Sequence, residues 1–473
     1  MRSSIRTLPL AFLAVIASCT GPGGRTGATG DSTAHSPARP NILFLISDDH
    51  SGDALGVAGN PVARTPALDG LARAGTRFLA AYTASPQCSP ARAAIVTGRS
   101  PHATGSSRLH ATLTTHETLL DSLSRDGYFL AAFRKVHLGE AMQKRWHWYG
   151  GDDVPFERFF DERPRDKPFF LWVGFHDPHR PYEPGAISPP TDPARVPVPP
   201  FLPDTPEVRS DLALYYDEIA RMDGQIGQLL ARLDSDGLAN DTVVVFAGDN
   251  GMPFPGAKGS LYHAGVNVPL VMRWPNHISP GVSRADIVSL LDLAPTLLDI
   301  AGVAPLPRIE GRSLWPSMRV GGPGAALETR PAFFERNWHD NFDIQRGVRS
   351  GRYLLVQNYR PELPYPPTLD LAESASWRAI AELQRRRALP AALERRYFAV
   401  PRPEVELYDV EADPGQLRDL AREPAHAETV RWLQQALSEW MVATSDFAPP
   451  PIQPARGPHG ESPHGGHCAA TFW

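Results

Sequence analysis

Cysteine is scarce in this chain, with three among 473 residues. Cys19 and Cys468 lie near the two ends, in sequence that has no helix or strand pattern. Cys88 alone lies where such patterns alternate, which argues against a disulfide framework. The sequence leaves four interpretations of Cys88 open: a buried filler, a metal ligand, a thiol nucleophile, or the precursor of another chemical group.

The chain also lacks an excess of positive charge and a long hydrophobic run. Its 47 lysines and arginines are outnumbered by 52 aspartates and glutamates, which gives a net charge of −5. Nucleic-acid binding needs a concentrated basic face, so no nucleic-acid partner is predicted. A membrane-spanning helix needs about 20 consecutive apolar residues, and no segment has them. Contact with a membrane is therefore predicted only through a lipid anchor.

The N-terminus predicts export. Two arginines precede an apolar run over 8–16 that is too short to span a bilayer. Small residues then precede Cys19, as in a bacterial lipobox, whose cysteine is lipidated after cleavage; the alternative is an ordinary signal peptide. We predict a lipoprotein signal over 1–19, a flexible linker over 20–38 and lipid anchoring in the bacterial outer membrane or periplasm.

Strand and helix patterns alternate over most of the chain. Continuous apolar runs predict buried strands, and amphipathic or capped segments predict helices. The predicted strands are 41–46, 129–133, 169–175, 242–247 and 268–274. One helix is predicted to begin at Thr65, and two more are predicted over 212–233 and 289–301. This order predicts an α/β fold with a mainly parallel sheet flanked by helices, and a site beyond the carboxyl ends of its strands.

The pattern changes after about residue 330. A hairpin is predicted over 342–359, a short strand over 404–409 and a helix over 424–443. These elements predict a small α+β domain with an antiparallel sheet. The predicted organisation is a catalytic domain over 39–330, a C-terminal α+β subdomain over 331–446 and a Pro/Gly/His-rich tail over 447–473.

Acidic and amide residues follow two of the predicted strands. Asp48 and Asp49 follow the first, and Asp249 and Asn250 follow the strand over 242–247. Adjacent carboxylates repel each other unless a cation lies between them, and ligand sets made only of oxygen suit Ca²⁺ or Mg²⁺. Either pair alone also fits the cap of a turn. Two such pairs at strand ends favour a metal site.

Basic side chains collect at the same predicted edge. They are Lys135, His137, His176, His179, Arg180 and Lys258. Cys88 stands at a predicted helix start with Arg92 in the first turn, where free N–H groups and the helix dipole attract anions. A rim that combines cations with a metal suits an oxyanion such as phosphate or sulfate.

The order of these motifs resembles the sulfatase family from about residue 39 to residue 446. CSPAR at 88–92 fits the family signature Cys-x-Pro-x-Arg, and it lies in order with the Asp-Asp strand end, KVHLG, HDPH and GDNG. The stretches FHDPHRPY and GDNGMPFPGAKGSLY are most similar to the sulfamidases, the N-sulfoglucosamine sulfohydrolases of heparan degradation. Lys258 departs from them, since it stands where the lysosomal sulfamidases have an arginine.

The resemblance implies an alkaline-phosphatase-like core and the chemistry of that family. A maturation enzyme would convert Cys88 to formylglycine, whose hydrate attacks sulfur and passes through a sulfo-enzyme intermediate. Asp48, Asp49, Asp249, Asn250 and the modified Cys88 would hold Ca²⁺, with Mg²⁺ as the alternative. Arg92 and Lys135 would stabilise the diol and the sulfate, and Lys258 would contact the sulfate. His137 would be the base and His176 the general acid. His179 and Arg180 would contact the sugar.

Several functions stay open at this point. The chain would remove sulfate from sulfated glycans, N-sulfoglucosamine of heparan fragments first. An O-sulfatase on another polysaccharide or an aryl sulfate is one alternative, and a phosphodiesterase or phosphonate hydrolase of the same superfamily is another. An inactive glycan-binding surface lipoprotein would require an unmodified Cys88 or a broken site, but every core motif position is filled.

Overall fold

The computed structural model of the protein describes residues 39–113, 116–322 and 327–447. The predicted signal peptide, the lipidation of Cys19, the linker and the tail beyond residue 447 lie outside these ranges. Among the described residues, no helix combines the length and the apolar character needed to cross a membrane.

Twelve strands and thirteen α-helices form the described part of the chain. The strands are β1 (Asn41–Ser47), β2 (Thr76–Tyr82), β3 (Phe129–Arg134), β4 (Trp148–Gly150), β5 (Phe169–Gly174), β6 (Thr242–Gly248), β7 (Leu270–Arg273), β8 (Val282–Ser289), β9 (Ala332–Trp338), β10 (Phe342–Ser350), β11 (Tyr353–Asn358) and β12 (Val405–Asp409). The helices are α1 (Pro66–Arg73), α2 (Cys88–Thr97), α3 (Leu119–Arg125), α4 (Glu140–Gln143), α5 (Glu157–Glu162), α6 (Pro206–Ser235), α7 (His263–Val266), α8 (Leu293–Ala301), α9 (Trp315–Met318), α10 (Leu369–Ala372), α11 (Ala375–Arg385), α12 (Ala391–Phe398) and α13 (Ala427–Thr444).

The larger sheet has eight strands in the order β4-β3-β5-β1-β6-β7-β2-β8. The five strands from β4 to β6 are parallel, β7 runs antiparallel to both β6 and β2, and β8 is parallel to β2. The α/β prediction is confirmed, including the mainly parallel sheet. Because β1 lies between β5 and β6, the loops that follow these three strands emerge side by side.

Strand β1 is buried on both faces, which explains its continuous apolar sequence. Phe44 stacks on Trp172 of β5 at 4.9 Å between ring centroids, within the cluster on one face of the sheet. Leu43 and Leu45 belong to the cluster on the other face, together with Met222 of α6. Successive side chains of a strand point to opposite faces, so helices cover both sides of this strand.

The smaller sheet is antiparallel, in the order β12-β11-β10-β9, and α13 packs on it through Leu433 and Leu437. The segment between β11 and β12 takes a different course. Its side chains Ile380 and Tyr397 share a buried cluster with Leu212 of α6. The chain after residue 330 therefore forms its own sheet and also covers part of the helical layer of the larger sheet.

Candidate active site

Two strand ends bring three carboxylates together. Ser47 of β1 pairs with Gly248 of β6, so Asp48 and Asp249 follow neighbouring positions of the sheet. Ligand oxygens of Asp48, Asp49 and Asp249 lie within 4.8 Å of one another, and all three side chains are fully buried. Asp49 has φ 64, a left-handed conformation in which Asp is enriched, and its N–H donates to Asp249 Oδ1 at 3.0 Å. The turn thus fixes the carboxylates in place.

The donor set fits a hard divalent cation. Asn250 Nδ2 donates to Asp49 Oδ1 at 2.7 Å, while Asn250 Oδ1 is buried and accepts no hydrogen bond from the described residues. Burial and the neighbouring Asp48 raise the pKa of Asp249 to about 7. A bound cation would offset the repulsion between Asp48 and Asp249. The unsatisfied Oδ1 of Asn250 would then serve as one of its ligands. Three carboxylates and an amide suit Ca²⁺ or Mg²⁺ because both prefer oxygen ligands.

Cys88 is the first residue of α2 and is 2% exposed. Its sulfur and ligand atoms of Asp48 and His179 lie within 4.8 Å of one another. Burial, together with the negative charge of Asp48, raises the pKa of the Cys88 thiol well above its ordinary value. Since the thiolate and not the thiol is the nucleophile, an unmodified Cys88 is held in its unreactive form.

Arg92, one turn further along α2, is also fully buried. Its Nε donates to Asp249 Oδ2 at 2.8 Å, and its Nη1 donates to the carbonyl of Lys135 at 2.9 Å. Its Nη2 lies 3.7 Å from Asp48 Oδ1 and donates no hydrogen bond within the described ranges. Lys135 Nζ contacts the other oxygen of Asp48. The two cations therefore flank the carboxylates from the side of β3.

Lys258 approaches the carboxylates from another side. Its Nζ donates to Asp49 Oδ2 at 2.8 Å and to Asp370 Oδ2 at 2.7 Å. Burial by itself would lower the pKa of Lys258, but Asp49 and Asp370 outweigh it and raise that pKa well above its ordinary value. Asp370 is a site residue that the sequence analysis missed. It lies 112 residues after Lys258, on a short helix with no strand-end pattern before it.

The two histidines of the HDPH motif have different surroundings. His179 Nε2 lies 3.8 Å from Asp49 Oδ2 and 3.9 Å from Asp370 Oδ2. His176 Nε2 lies 2.9 Å from Asp152 Oδ1, and 55% of the His176 side chain is exposed. The structure thus brings His179 into the cluster and places His176 beside Asp152. The motif identified the turn, but spacing alone did not tell which histidine faces the carboxylates.

Arg180 holds the loop that carries His179 in place. Its guanidinium donates to both oxygens of Asp211 at 2.8 and 2.7 Å, and its Nε donates to the carbonyl of Pro253 at 2.9 Å. It also lies over the Tyr182 and Phe254 rings, 4.5 and 4.9 Å from their centroids. These contacts join the loop to α6. Sugar binding by Arg180 stays a prediction.

His137 is paired with a second histidine. Its Nε2 lies 2.8 Å from Nδ1 of His110, an exposed residue whose backbone N–H donates to Ser89 beside Cys88. Burial, followed by the positive charges of Lys135 and Arg92, lowers the pKa of His137 to about 3. The imidazole is therefore neutral near pH 7, but a pKa this low also makes it a weak base unless a negative charge offsets Lys135 and Arg92. The sequence analysis missed His110, because a lone histidine in a loop carries no pattern.

Comparison with known proteins gives consistent matches along the chain. The family model "Sulfatase" matches residues 40–303, and the model "N-sulphoglucosamine sulphohydrolase, C-terminal" matches residues 257–372. The N-sulphoglucosamine sulphohydrolase of Homo sapiens is 32% identical over 479 residues, which cover 86% of this chain and 91% of that protein. An ulvan-active sulfatase of Formosa agariphila is 28% identical over 466 residues, covering 87% of this chain and 76% of that protein.

Two solved structures share the fold. One is a protein in complex with its substrate D-glucosamine-2-N,6-O-disulfate, with a TM-score of 0.67, 20% identity and coverage of 88% of this chain and 100% of that chain. The other is a phosphonate monoester hydrolase of Agrobacterium radiobacter, with a TM-score of 0.67, 19% identity and coverage of 86% and 96%. At these identities the likeness establishes the fold alone.

Proposed function

The chain belongs to the sulfatase family, whose members hydrolyse sulfate esters and sulfamates, and on that premise we propose that it removes sulfate from sulfated glycans. The substrate proposed is N-sulfoglucosamine of heparan fragments. Two similarities support this choice: the human relative named for that reaction, and the C-terminal family model that carries the same name.

The observation that carries the proposal is the charge arrangement around Cys88. Four carboxylates, Asp48, Asp49, Asp249 and Asp370, meet three cationic side chains in one mostly buried cluster. A bound dication would reverse the sign of the total, so a substrate with a single negative charge would bring the site close to neutrality. Sulfate monoesters and sulfamates carry that charge.

The metal ligands proposed are Asp48, Asp49, Asp249 and Asn250, with the group derived from Cys88 completing the set. We assign Ca²⁺ to this site and keep Mg²⁺ as the alternative, since both take carboxylate and amide oxygens. When bound, the cation would neutralise the carboxylates and polarise the attacking oxygen.

A converted Cys88 accounts for its environment better than a thiol does. Burial and the charge of Asp48 raise the pKa of the thiol and so disfavour the thiolate, the form that acts as a nucleophile. Formylglycine would supply a hydroxyl nucleophile at this position. A maturation enzyme is therefore a partner that the proposal requires.

The remaining roles follow from the contacts of each side chain. Arg92 Nη2, Lys135 and Lys258 would bind the sulfate oxygens, with Arg92 held in place by Asp249 and by the Lys135 carbonyl. The neutral His137 would accept a proton as the base. In this proposal His179 replaces His176 as the residue that donates a proton to the leaving atom, because His179 lies beside Asp49.

A panel of glucosamine monosaccharides and heparan disaccharides that differ only in N-, 2-O-, 3-O- and 6-O-sulfation tests the proposal. The protein is produced together with a maturation enzyme, and released sulfate is measured. We expect turnover of the N-sulfated members first, and no turnover by Cys88→Ala, because that variant has no nucleophile. Peptide mass analysis should show residue 88 lighter by about 18 Da, the difference between a thiol and an aldehyde.

Three results would contradict parts of the proposal. Preference for an O-sulfated member would reject the N-sulfoglucosamine assignment and favour an O-sulfatase. Faster hydrolysis of a phosphonate monoester than of any sulfated sugar would reject the sulfatase activity. Full activity with an unmodified Cys88 would reject the formylglycine mechanism.

A further inference from the structure

Asp370 places an additional negative charge beside the side chains that flank the reaction centre. It comes from α10, in the segment between β11 and β12, and 22% of its side chain is exposed. Its Oδ2 accepts a hydrogen bond from Lys258 at 2.7 Å and lies 3.9 Å from His179 Nε2. Ligand atoms of Asp49, His179 and Asp370 lie within 4.8 Å of one another. His179 thus lies beside both Asp370 and Asp49.

The position of this carboxylate is fixed locally. Thr368 Oγ1 donates to Asp370 Oδ1 at 2.5 Å, and the N–H of Leu369 donates to Asp340 Oδ2 at 2.7 Å. Burial would raise the pKa of Asp370, but Lys258 lowers it more, and the pKa lies well below its usual range. The group therefore stays an anion near neutral pH, on the side of the site where His179 lies.

The two kinds of sulfated substrate differ in the charge of their product. In sulfamate hydrolysis the S–N bond breaks with its electron pair on nitrogen, an S–O bond forms, and both protons of water end on nitrogen. The balance is R–NH–SO₃⁻ plus H₂O giving R–NH₃⁺ plus SO₄²⁻. An O-sulfate instead gives R–OH, SO₄²⁻ and one free proton. Amines comparable to the α-amino group, with a pKa of about 8, are largely protonated below pH 7.

We propose that Asp370 is a specificity-determining residue that favours a leaving group departing as an amine over one departing as an alcohol. This inference rests on the proposed function. As the S–N bond breaks, nitrogen gains protons and then positive charge, which the Asp370 carboxylate attracts. The alcohol from an O-sulfate stays neutral and gains nothing from that charge. Differential stabilisation of this kind sets substrate preference.

The competing interpretation is that Asp370 only anchors the short helix and fixes Lys258. Lys258 faces the sulfate in the proposed site, and the sulfate group is identical in N- and O-sulfated sugars. Loss of an anchor would therefore lower turnover of both substrates by the same factor. The ratio of the two activities separates selection of the leaving group from support of the site.

The decisive variant is Asp370→Asn, assayed on N-sulfoglucosamine and on glucosamine 6-O-sulfate. We expect kcat/KM for the N-sulfated sugar to fall by about tenfold or more, the effect of losing one charge-assisted interaction, with a much smaller change for the O-sulfated sugar. Asp340→Asn is the matched control, because it loosens the start of α10 and keeps the charge of Asp370. It should change both activities by the same factor.

Product inhibition of the unaltered enzyme gives a second measurement that does not depend on the variant folding. Glucosamine carries an ammonium group, whereas N-acetylglucosamine is neutral at the same position. We expect glucosamine to inhibit the unaltered enzyme about tenfold more strongly, and Asp370→Asn to remove most of that difference.

Three outcomes decide between the inference and the proposed function. Equal loss on both substrates in Asp370→Asn overturns the role of Asp370 alone, as does equal inhibition of the unaltered enzyme by the two sugars. An unaltered enzyme that releases no sulfate from either substrate overturns the proposed function.

Discussion

Arg92 joins three parts of the site through one guanidinium group. It begins on α2, pairs with Asp249 after β6 and holds the carbonyl of Lys135 after β3. A planar fork of donors can serve several acceptors at fixed angles, which a single ammonium group cannot. Arg92 therefore sets the spacing between strand ends as well as contributing charge to the site.

We expect Arg92→Lys to lose nearly all activity and about 3 kcal/mol of the free energy of unfolding. The reason is that Asp249 stays buried with an incomplete partner. Sulfate release and denaturant titration measure the two effects. Arg158→Lys is the control, since Arg158 is 59% exposed and its ion pair among the described residues is with Glu162, one helical turn away. A fully active and equally stable Arg92→Lys would contradict the bridging role.

Sequence alone identifies a site residue when its type and its position directly after a strand leave few possible roles. Asp48 and Asp249 each follow a buried strand, and the structure brings their carboxylates together. His176 and His179 share one turn, and only side-chain directions in the folded loop distinguish them. Asp370 arrives from a distant segment, and no local pattern carries that information.

The ends of β3 and β5 position the site through their backbones as well as through their side chains. Gly174, the last residue of β5, pairs with Arg134, the last residue of β3. A Cβ on Gly174 would lie 1.7 Å from the carbonyl oxygen of Lys135. That oxygen accepts hydrogen bonds from Arg92 and from the Trp172 indole. Close approach of the two strand ends is therefore what orients Lys135 and Arg92 relative to each other.

Gly174→Ala is expected to reduce kcat/KM by about a hundredfold or more, because the added methyl group moves the Lys135 carbonyl and the arginine bound to it. Gly151→Ala is the matched control, since a Cβ there meets no atom within 4 Å. Kinetics on N-sulfoglucosamine and thermal unfolding of both variants provide the measurement. Equal activities of the two variants would show that the close approach is dispensable.

Elements differ in how far sequence alone predicts them. Strands β1 and β6 were predicted because both are buried on two faces and therefore continuously apolar. Strand β8, with the sequence VSRADIVS at the sheet edge, was missed because partly exposed residues interrupt its apolar pattern. The antiparallel direction of β7 depends on the path of the chain, which local sequence does not encode.

Within residues 39–447, a series of hydrogen bonds links the smaller sheet to the larger one. Arg349 of β10 donates to the hydroxyl of Tyr82 in β2 at 3.0 Å, and that hydroxyl lies 3.3 Å from His263 Nδ1. An unprotonated Nδ1 can accept a hydrogen bond from the Tyr82 hydroxyl, whereas a protonated Nδ1 cannot. Burial, assisted by Arg349, lowers the pKa of His263 to about 4.

This junction predicts a loss of stability in acid. The unfolded state binds a proton at His263 near pH 6.5 and the folded state only near pH 4. The contribution is therefore complete above pH 6.5 and is lost as the pH falls toward 4, by up to about 3 kcal/mol. Denaturant titrations of the unaltered protein and of His263→Gln between pH 7.5 and 4 measure it.

The variant should show a smaller dependence of unfolding free energy on pH over that range. His277→Gln, which alters an exposed histidine, should keep the slope of the unaltered protein. Equal slopes for all three proteins would contradict the assignment to His263.

Burial of Cys88 has a consequence for the biosynthesis of the protein. The side chains around it come from widely separated positions, from Asp48 to Lys258, and only 2% of its surface stays exposed after they assemble. An enzyme that alters this side chain must therefore reach it while the chain is still unfolded. Folding and modification compete in time, and a chain that folds first keeps its thiol beyond the reach of any later catalyst.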